Sequence, residues 1–408
     1  MFKLLRQTWK INVTSQTTAK GTATGVIADK WTMDDQLPTF GKALANFAAV
    51  VYVTNDLTKN TGLAAAGLVK LKAAMQTFVQ KKQSYPLAYD TVWGGIVSTA
   101  GYTDTGADFW DTNYNDHHFH YGYFVYAAAV IAHIDPSWLT INSGSNKIWV
   151  NALVRDYANS ISDDLYLYSR NFNWFHGHSW AKGLLDSGVG KDQESRSEDS
   201  FASYAIKMLG KSIRDSNMEA RGNLMLAIQG RSFQNYFLME STHTVQPFRF
   251  INNKVTGILF ESKIDHTTYF GINIEHIEGS HFTDIHSINM IPIMPNSGLI
   301  RKANFVKEEW AKYFDNGRVN AVQAGWKGIL YANLAFIDVT SSWNFFASSF
   351  FDPGNLDGGA SRTWYLTLAA ALGGMVSAYD FLGANVKGVL GFFWIYNCVA
   401  AQTEDVID

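Results

Sequence analysis

Asn115-Asp116-His117-His118-Phe119-His120-Tyr121-Gly122-Tyr123 runs without a break into Phe124-Val125-Tyr126-Ala127-Ala128-Ala129-Val130-Ile131. A polar, ring-rich loop end thus gives way to a segment that is apolar at every helical position. Such a helix has no face to offer solvent and is read as covered on both sides. Helically spaced apolar residues recur at 41–51, 63–75, 119–133, 147–160, 198–213, 216–239, 302–314, 322–336 and 361–379. Between them lie long connections rich in Gly, Asn, Asp and Trp, at 84–117, 161–197, 240–300 and 337–360. Connections of that length commonly carry function. About ten to twelve helices alternating with such loops suit a mainly α fold, a toroid of helical hairpins whose loops gather at one end as a groove. No sequence repeat accompanies the pattern, so this architecture rests on spacing. Within 240–290, Val245, Phe248, Phe250, Ile258 and Phe260 suggest a small inserted sheet.

The 408 residues are 17% charged and 14% aromatic, with 13 Trp, 19 Tyr and 27 Phe. Low charge with many rings argues against disorder and suits a groove that stacks on sugars. A net charge of −3 and a pI near 6.4 leave no basic footprint for nucleic acid. One cysteine, Cys398, excludes an intrachain disulfide and a Cys-based zinc site. Met1 to Lys10 contains no apolar core of a secretory signal, whereas Asn12-Val13-Thr14 is a glycosylation sequon. The stretch from Lys387 to Ala401 is too short and interrupted for a membrane span. Gly358-Gly359-Ala360 is too short for a phosphate loop, and no Gly-x-Ser-x-Gly elbow occurs.

Two acidic segments carry the candidate chemistry. Asp116, before an apolar helix, is either an N-cap, which would depress its pKa, or a general acid set among His117, His118, His120, Tyr121 and Tyr123. His120, four residues on, would share its face if the helix starts that early. The three histidines also admit a zinc or manganese site, although the i, i+4 pairing of His-Glu-x-x-His is absent. In Asp192-Gln193-Glu194-Ser195-Arg196-Ser197-Glu198, the Ser-x-x-Glu spacing is that of a capping box, with Glu198 folding back on Ser195. The competing reading makes Glu194 and Glu198 catalytic. Upstream, Trp174, His176, His178 and Trp180 are either a packed loop or a stacking and hydrogen-bonding wall for carbohydrate.

These motifs resemble glycoside hydrolase family 81, the endo-1,3-β-glucanases. The resemblance is carried by Asn115–Tyr123, by His176-Gly177-His178-Ser179-Trp180-Ala181, and by Asp192-Gln193-Glu194-Ser195-x-Ser197-Glu198. Tyr89-Asp90-x-x-Trp93-Gly94-Gly95, Ile291-Pro292-x-x-Pro295 and Asp357-Gly358-Gly359-x-Ser361-Arg362-Thr363-Trp364 extend it, over roughly residues 35 to 380. It implies a β-sandwich, a small α/β part and a catalytic (α/α)6 barrel. This chain would hold a remnant of the preceding α/β or β region at 1–38, the barrel at 39–380 and a divergent tail at 381–408. The implied reaction is inverting hydrolysis of internal β-1,3-glucosidic bonds, without a cofactor or metal. Asp116 would be the acid, Glu194 and Glu198 the other essential carboxylates, and Glu198 the favoured base. His120, Trp174, His176, His178, Trp180, Asp192 and Asp90 would contact substrate. The partner would be β-1,3-glucan, the protein a monomer, and its place extracellular or in the cell wall. Two alternatives stand beside this one: a glucan-binding protein without turnover, and a metal-dependent hydrolase built on His117, His118 and His120.

Overall fold

A computed structural model of the chain describes residues 37–57, 59–263, 265–269, 281–357 and 360–373. The expected N-terminal remnant, apart from its last two residues, and the expected tail lie outside the described residues.

Helices dominate. The first four are α1 (Leu37–Tyr52), α2 (Thr61–Val79), α3 (His117–Ile134) and α4 (Ile141–Ala158). Next come α5 (Arg196–Ile213), α6 (Ser216–Tyr236) and the short α7 (Phe248–Ile251), α8 (His281–Ser287) and α9 (Ser297–Ile300). The last described are α10 (Ala303–Tyr313), α11 (Ala324–Leu334), α12 (Val339–Ala347) and α13 (Arg362–Leu372). The longer helices fall where apolar spacing predicts them. α12 does not, because it lies inside 337–360, where Gly and Asn obscure a nine-residue helix capped by Asp338.

Helices neighbouring in sequence pair as hairpins, α1 with α2, α3 with α4, α5 with α6 and α11 with α12. A second set of contacts joins alternate helices: α1 to α3, α3 to α5, α8 to α11, α11 to α13, and α13 back to α1. An inner layer backed by an outer one is the arrangement expected of helical hairpins in a toroid. The inner helix α3 is buried along nearly its whole length, as its uniformly apolar sequence requires. α5 is buried as completely despite Arg196, Glu198, Asp199 and Lys207. Its polar groups are therefore held by other protein groups, not by water.

Two glycines set how closely the inner helices approach. A Cβ at Gly41 of α1 would stand 3.1 Å from Phe124 and 3.2 Å from Tyr123 of α3. One at Gly122 of α3 would stand 3.0 Å from the Ala202 backbone of α5. Each glycine immediately precedes a residue of the site described below.

Strands are few and short. β1 (Leu87–Asp90) and β2 (Gly95–Ser98) form an antiparallel hairpin, and β3 (Phe172–Asn173) pairs with β4 (His178–Ser179). The sheet expected within 240–290 is not a unit of its own among the described residues. β6 (Leu259–Phe260) pairs instead with β5 (Asp192–Gln193), which makes that stretch a brace for the acidic segment.

Candidate active site

Asp116 is placed by backbone geometry before its side chain is considered. Its N–H donates to Ala181 C=O at 2.9 Å, and the Ala181 N–H donates to Asp192 C=O at 2.8 Å. These rungs lay Asp116, Ala181 and Asp192 side by side, and Glu194 follows two residues on. Asp116 stands at the cap position of α3 in a left-handed conformation (φ 58°), and its carboxylate makes no capping bond. Its Oδ2 accepts from Asn115 Nδ2 at 2.9 Å. Its buried Oδ1 has no hydrogen-bond partner among the described residues. The capping alternative therefore fails at this residue. Burial, then the like charges of Glu194, Asp192, Glu198 and Asp111, hold the Asp116 carboxyl well above the usual range for an aspartate.

In the second segment one half of the capping box forms. Ser195 Oγ accepts the Glu198 N–H at 3.4 Å. The Glu198 side chain does not fold back on Ser195; it accepts the Tyr123 hydroxyl and lies 3.9 Å from Lys42 Nζ. Burial and the neighbouring Glu198 push the Tyr123 phenol well above its ordinary value, so it remains the donor. Glu194 sits just before α5, off the helical face of Glu198. Burial, Glu198 and Asp192 push its carboxyl up to about 8, with Lys42 and Lys182 acting against the rise. Asp192 is fixed by the Tyr269 hydroxyl and by Lys182 Nζ at 3.6 Å.

The other residues read from the sequence separate into two groups. Trp174 and His176 are exposed at the turn of the β3–β4 hairpin, where Asn173 Oδ1 accepts the Phe175 and His176 N–H groups at 3.0 Å. His178 and Trp180 lie beneath that turn, with ring centroids 4.6 Å apart. His178 donates from Nδ1 to Ser179 C=O at 2.9 Å, and burial holds its pKa down at about 4. Asp90 accepts from the Val92 N–H and from the Tyr114 hydroxyl, both at 2.8 Å. It thereby anchors the segment that leads to Asp116.

The histidines after Asp116 have three different settings. His117 donates from Nδ1 to Asp156 Oδ2 at 2.5 Å and from Nε2 to Asp111 C=O at 2.7 Å. Burial opposes its charge, but Asp156 and Asp111 overcome that and raise its pKa. With both ring nitrogens engaged it has no lone pair for a metal. His118 is buried and held well below its ordinary pKa by burial and by the imidazoles around it. His120 turns its Nδ1 to Asp111 Oδ2 at 3.3 Å, with its ring near Phe109. Among the described residues no three His, Cys, Asp or Glu side chains gather as a metal site.

Lys42 escapes the sequence reading, while Tyr123 and Asp357 enter it as motif residues without a place in the site. Asp357, from the loop before α13, is electrostatically coupled to Glu198 and Lys42 and bonded to Tyr365. Burial pushes its carboxyl up to about 6. A basic residue on α1 and an acid beside α13 meet here only through folding. The local signal available was Gly-Lys at 41–42 and Gly-Tyr at 122–123, each a small residue before a polar one on an apolar helix.

Asp116, Glu194, Glu198, Asp192 and Asp357 thus make a cluster of buried, mutually interacting carboxyl groups, and comparison with known proteins places it in a family. Residues 11–366 match the model of the glycosyl hydrolase family 81 C-terminal domain. The chain belongs to glycosyl hydrolase family 81. A glucan endo-1,3-beta-D-glucosidase of Arthroderma benhamiae is 50% identical over 379 residues, covering 89% of this chain and 40% of that protein. The primary septum glucan endo-1,3-beta-D-glucosidase of Schizosaccharomyces pombe is 47% identical over 334 residues, covering 81% and 32%. The glucan endo-1,3-beta-D-glucosidase 2 of Saccharomyces cerevisiae is 44% identical over 342 residues, covering 83% and 42%. The chain thus spans well under half the length of these relatives. Among solved structures, a mutant of the family 81 enzyme CtLam81A of Clostridium thermocellum superposes with a TM-score of 0.65 at 23% identity, over 82% of this chain and 44% of that one. That likeness bears on the family 81 fold, a mainly helical one consistent with an α/α barrel.

Proposed function

We propose that this chain hydrolyses internal β-1,3-glucosidic bonds of β-1,3-glucan with inversion, Asp116 serving as general acid and Glu198 as general base. The observation that carries the reading is Asp116 itself: a buried carboxyl with an oxygen unpartnered among the described residues, raised well above the usual aspartate range by burial and then by the carboxylates around it. An acid of that kind can protonate the glycosidic oxygen as the bond to the anomeric carbon breaks. On the opposite face of the sugar, Glu198 accepts the proton of an attacking water, which adds to the anomeric carbon. Its partners, a hydroxyl donor and an ammonium group, are those of a carboxylate and not of a carboxylic acid. Glu194, raised to about 8, is a poor base at neutral pH and suits a donor that orients the water or a sugar hydroxyl. Inversion requires the acid and base about 6.5–9.5 Å apart, with room for that water.

Trp174 and His176 on the exposed turn suit a wall for the glucan chain, with His178 and Trp180 supporting them from below. The names of the relatives favour β-1,3-glucan as substrate and hence action in a cell wall or outside the cell. No helix among the described residues is long and apolar enough to cross a membrane. The test is incubation with laminarin and curdlan, following the fragments by NMR. Internal cleavage with first-formed α-anomers is expected. First-formed β-anomers would overturn inversion. Binding to curdlan without any released sugar would make the chain a glucan-binding protein.

A further inference from the structure

Resting on that reading of Glu198, we propose that Lys42 is a positioning residue whose ion pair with Glu198 holds and aims that carboxylate within a crowd of like charges. Four segments bring charged or titratable groups to the neighbourhood of Glu198. α3 supplies Tyr123 and, at its head, Asp116; the segment before α5 supplies Glu194; the loop before α13 supplies Asp357; and α1 supplies Lys42. Three of these five are carboxyl groups, and their common effect is to disfavour a further negative charge. Lys42 acts in the other direction on several of them. Its Nζ lies 3.9 Å from Glu198 Oε1, and its charge also opposes the rise at Glu194 and at Asp357.

Helix packing delivers it there. Gly41 lets α1 close on α3 at Tyr123, and Gly122 lets α3 close on α5 one turn beyond Glu198, against Ala202. Lys42 and Tyr123, each one residue after its glycine, then reach the same carboxylate from two helices. The Lys42 side chain is only 20% exposed, so its attraction for Glu198 is less screened than that of a surface pair.

The experiment uses the full chain and the variants Lys42→Met and Lys42→Arg. On soluble laminarin, the acidic limb of the kcat/KM profile is expected to move up by about one pH unit in Lys42→Met, and to return toward its original place in Lys42→Arg. A rate loss with the limb unmoved would make Lys42 merely structural and would overturn the proposal. A second readout needs no turnover. 13C-carboxyl NMR of glutamate-labelled chain, with the Glu198 signal identified by its loss in Glu198→Gln, should show Glu198 titrating at higher pH in Lys42→Met. An unchanged titration overturns the proposal as well. A chain that releases no sugar but shows the NMR shift refutes the hydrolytic reading and leaves the role of Lys42 standing.

Discussion

Asp111 and Asp116 stand five residues apart, both are buried, and their environments drive them in opposite directions. Asp111 accepts the Ser98 N–H at 2.7 Å and the Tyr121 hydroxyl at 3.2 Å, and lies beside the His117 and His120 imidazoles. Burial raises its carboxyl, but these partners outweigh burial and leave it below the usual aspartate range. Asp116 has one amide donor, a bare oxygen and three other acidic neighbours, and is held well above that range. Burial alone therefore does not decide which way a carboxyl is shifted; its charged neighbours do. Asp111 binds the β1–β2 hairpin, through Ser98, to the start of α3, whereas Asp116 keeps one oxygen without a partner among the described residues and is the proposed acid.

The same isosteric change at the two positions separates these roles. Asp116→Asn removes the proton to be donated, and kcat on laminarin should fall by about 10³-fold or more while binding of laminarin stays nearly constant. Undiminished turnover would end the assignment. Asp111→Asn breaks a buried ionic network and should cost about 3 kcal/mol of stability in denaturant unfolding, with residual activity following the folded fraction. Lost activity at unchanged stability would mean that Asp111 belongs to the chemistry. The smallest effect concerns pH. Glu194 has a native pKa raised from 4.5 to about 8, so the native state holds a proton that the unfolded chain has released. Its contribution is present below 4.5 and is lost as pH rises to about 8, which makes stability decline over that window. Glu194→Gln should flatten that decline in Tm measured against pH, and a slope identical to wild type would contradict the assignment.

Legibility in the sequence followed the range of the interactions. α3 and α5 were readable because each carries its own periodicity and its own start signal, Asp116 in one and Ser195 in the other. The acidic pair was readable because its members sit inside continuous motifs. What sequence could not decide was direction. Asp116 has the residue type and the position of a cap, and only the left-handed backbone, which turns the carboxylate away from α3, tells the two apart. Glu198 shows a capping box that is half correct, because Tyr123 on another helix captures the carboxylate. That Lys42 and Asp357 share a site was invisible for a stronger reason, since nearly the whole described chain separates them. β6 was misplaced because its partner strand, at 192–193, lies far upstream.

The contact of α13 with α1 has a consequence for how activity arises during synthesis. Lys42 emerges from the ribosome more than three hundred residues before Asp357, so the surroundings of Glu198 stay incomplete until α13 docks on α1. A nascent chain that has made α1 to α5 therefore holds Lys42, Tyr123 and Glu198 before it holds Asp357.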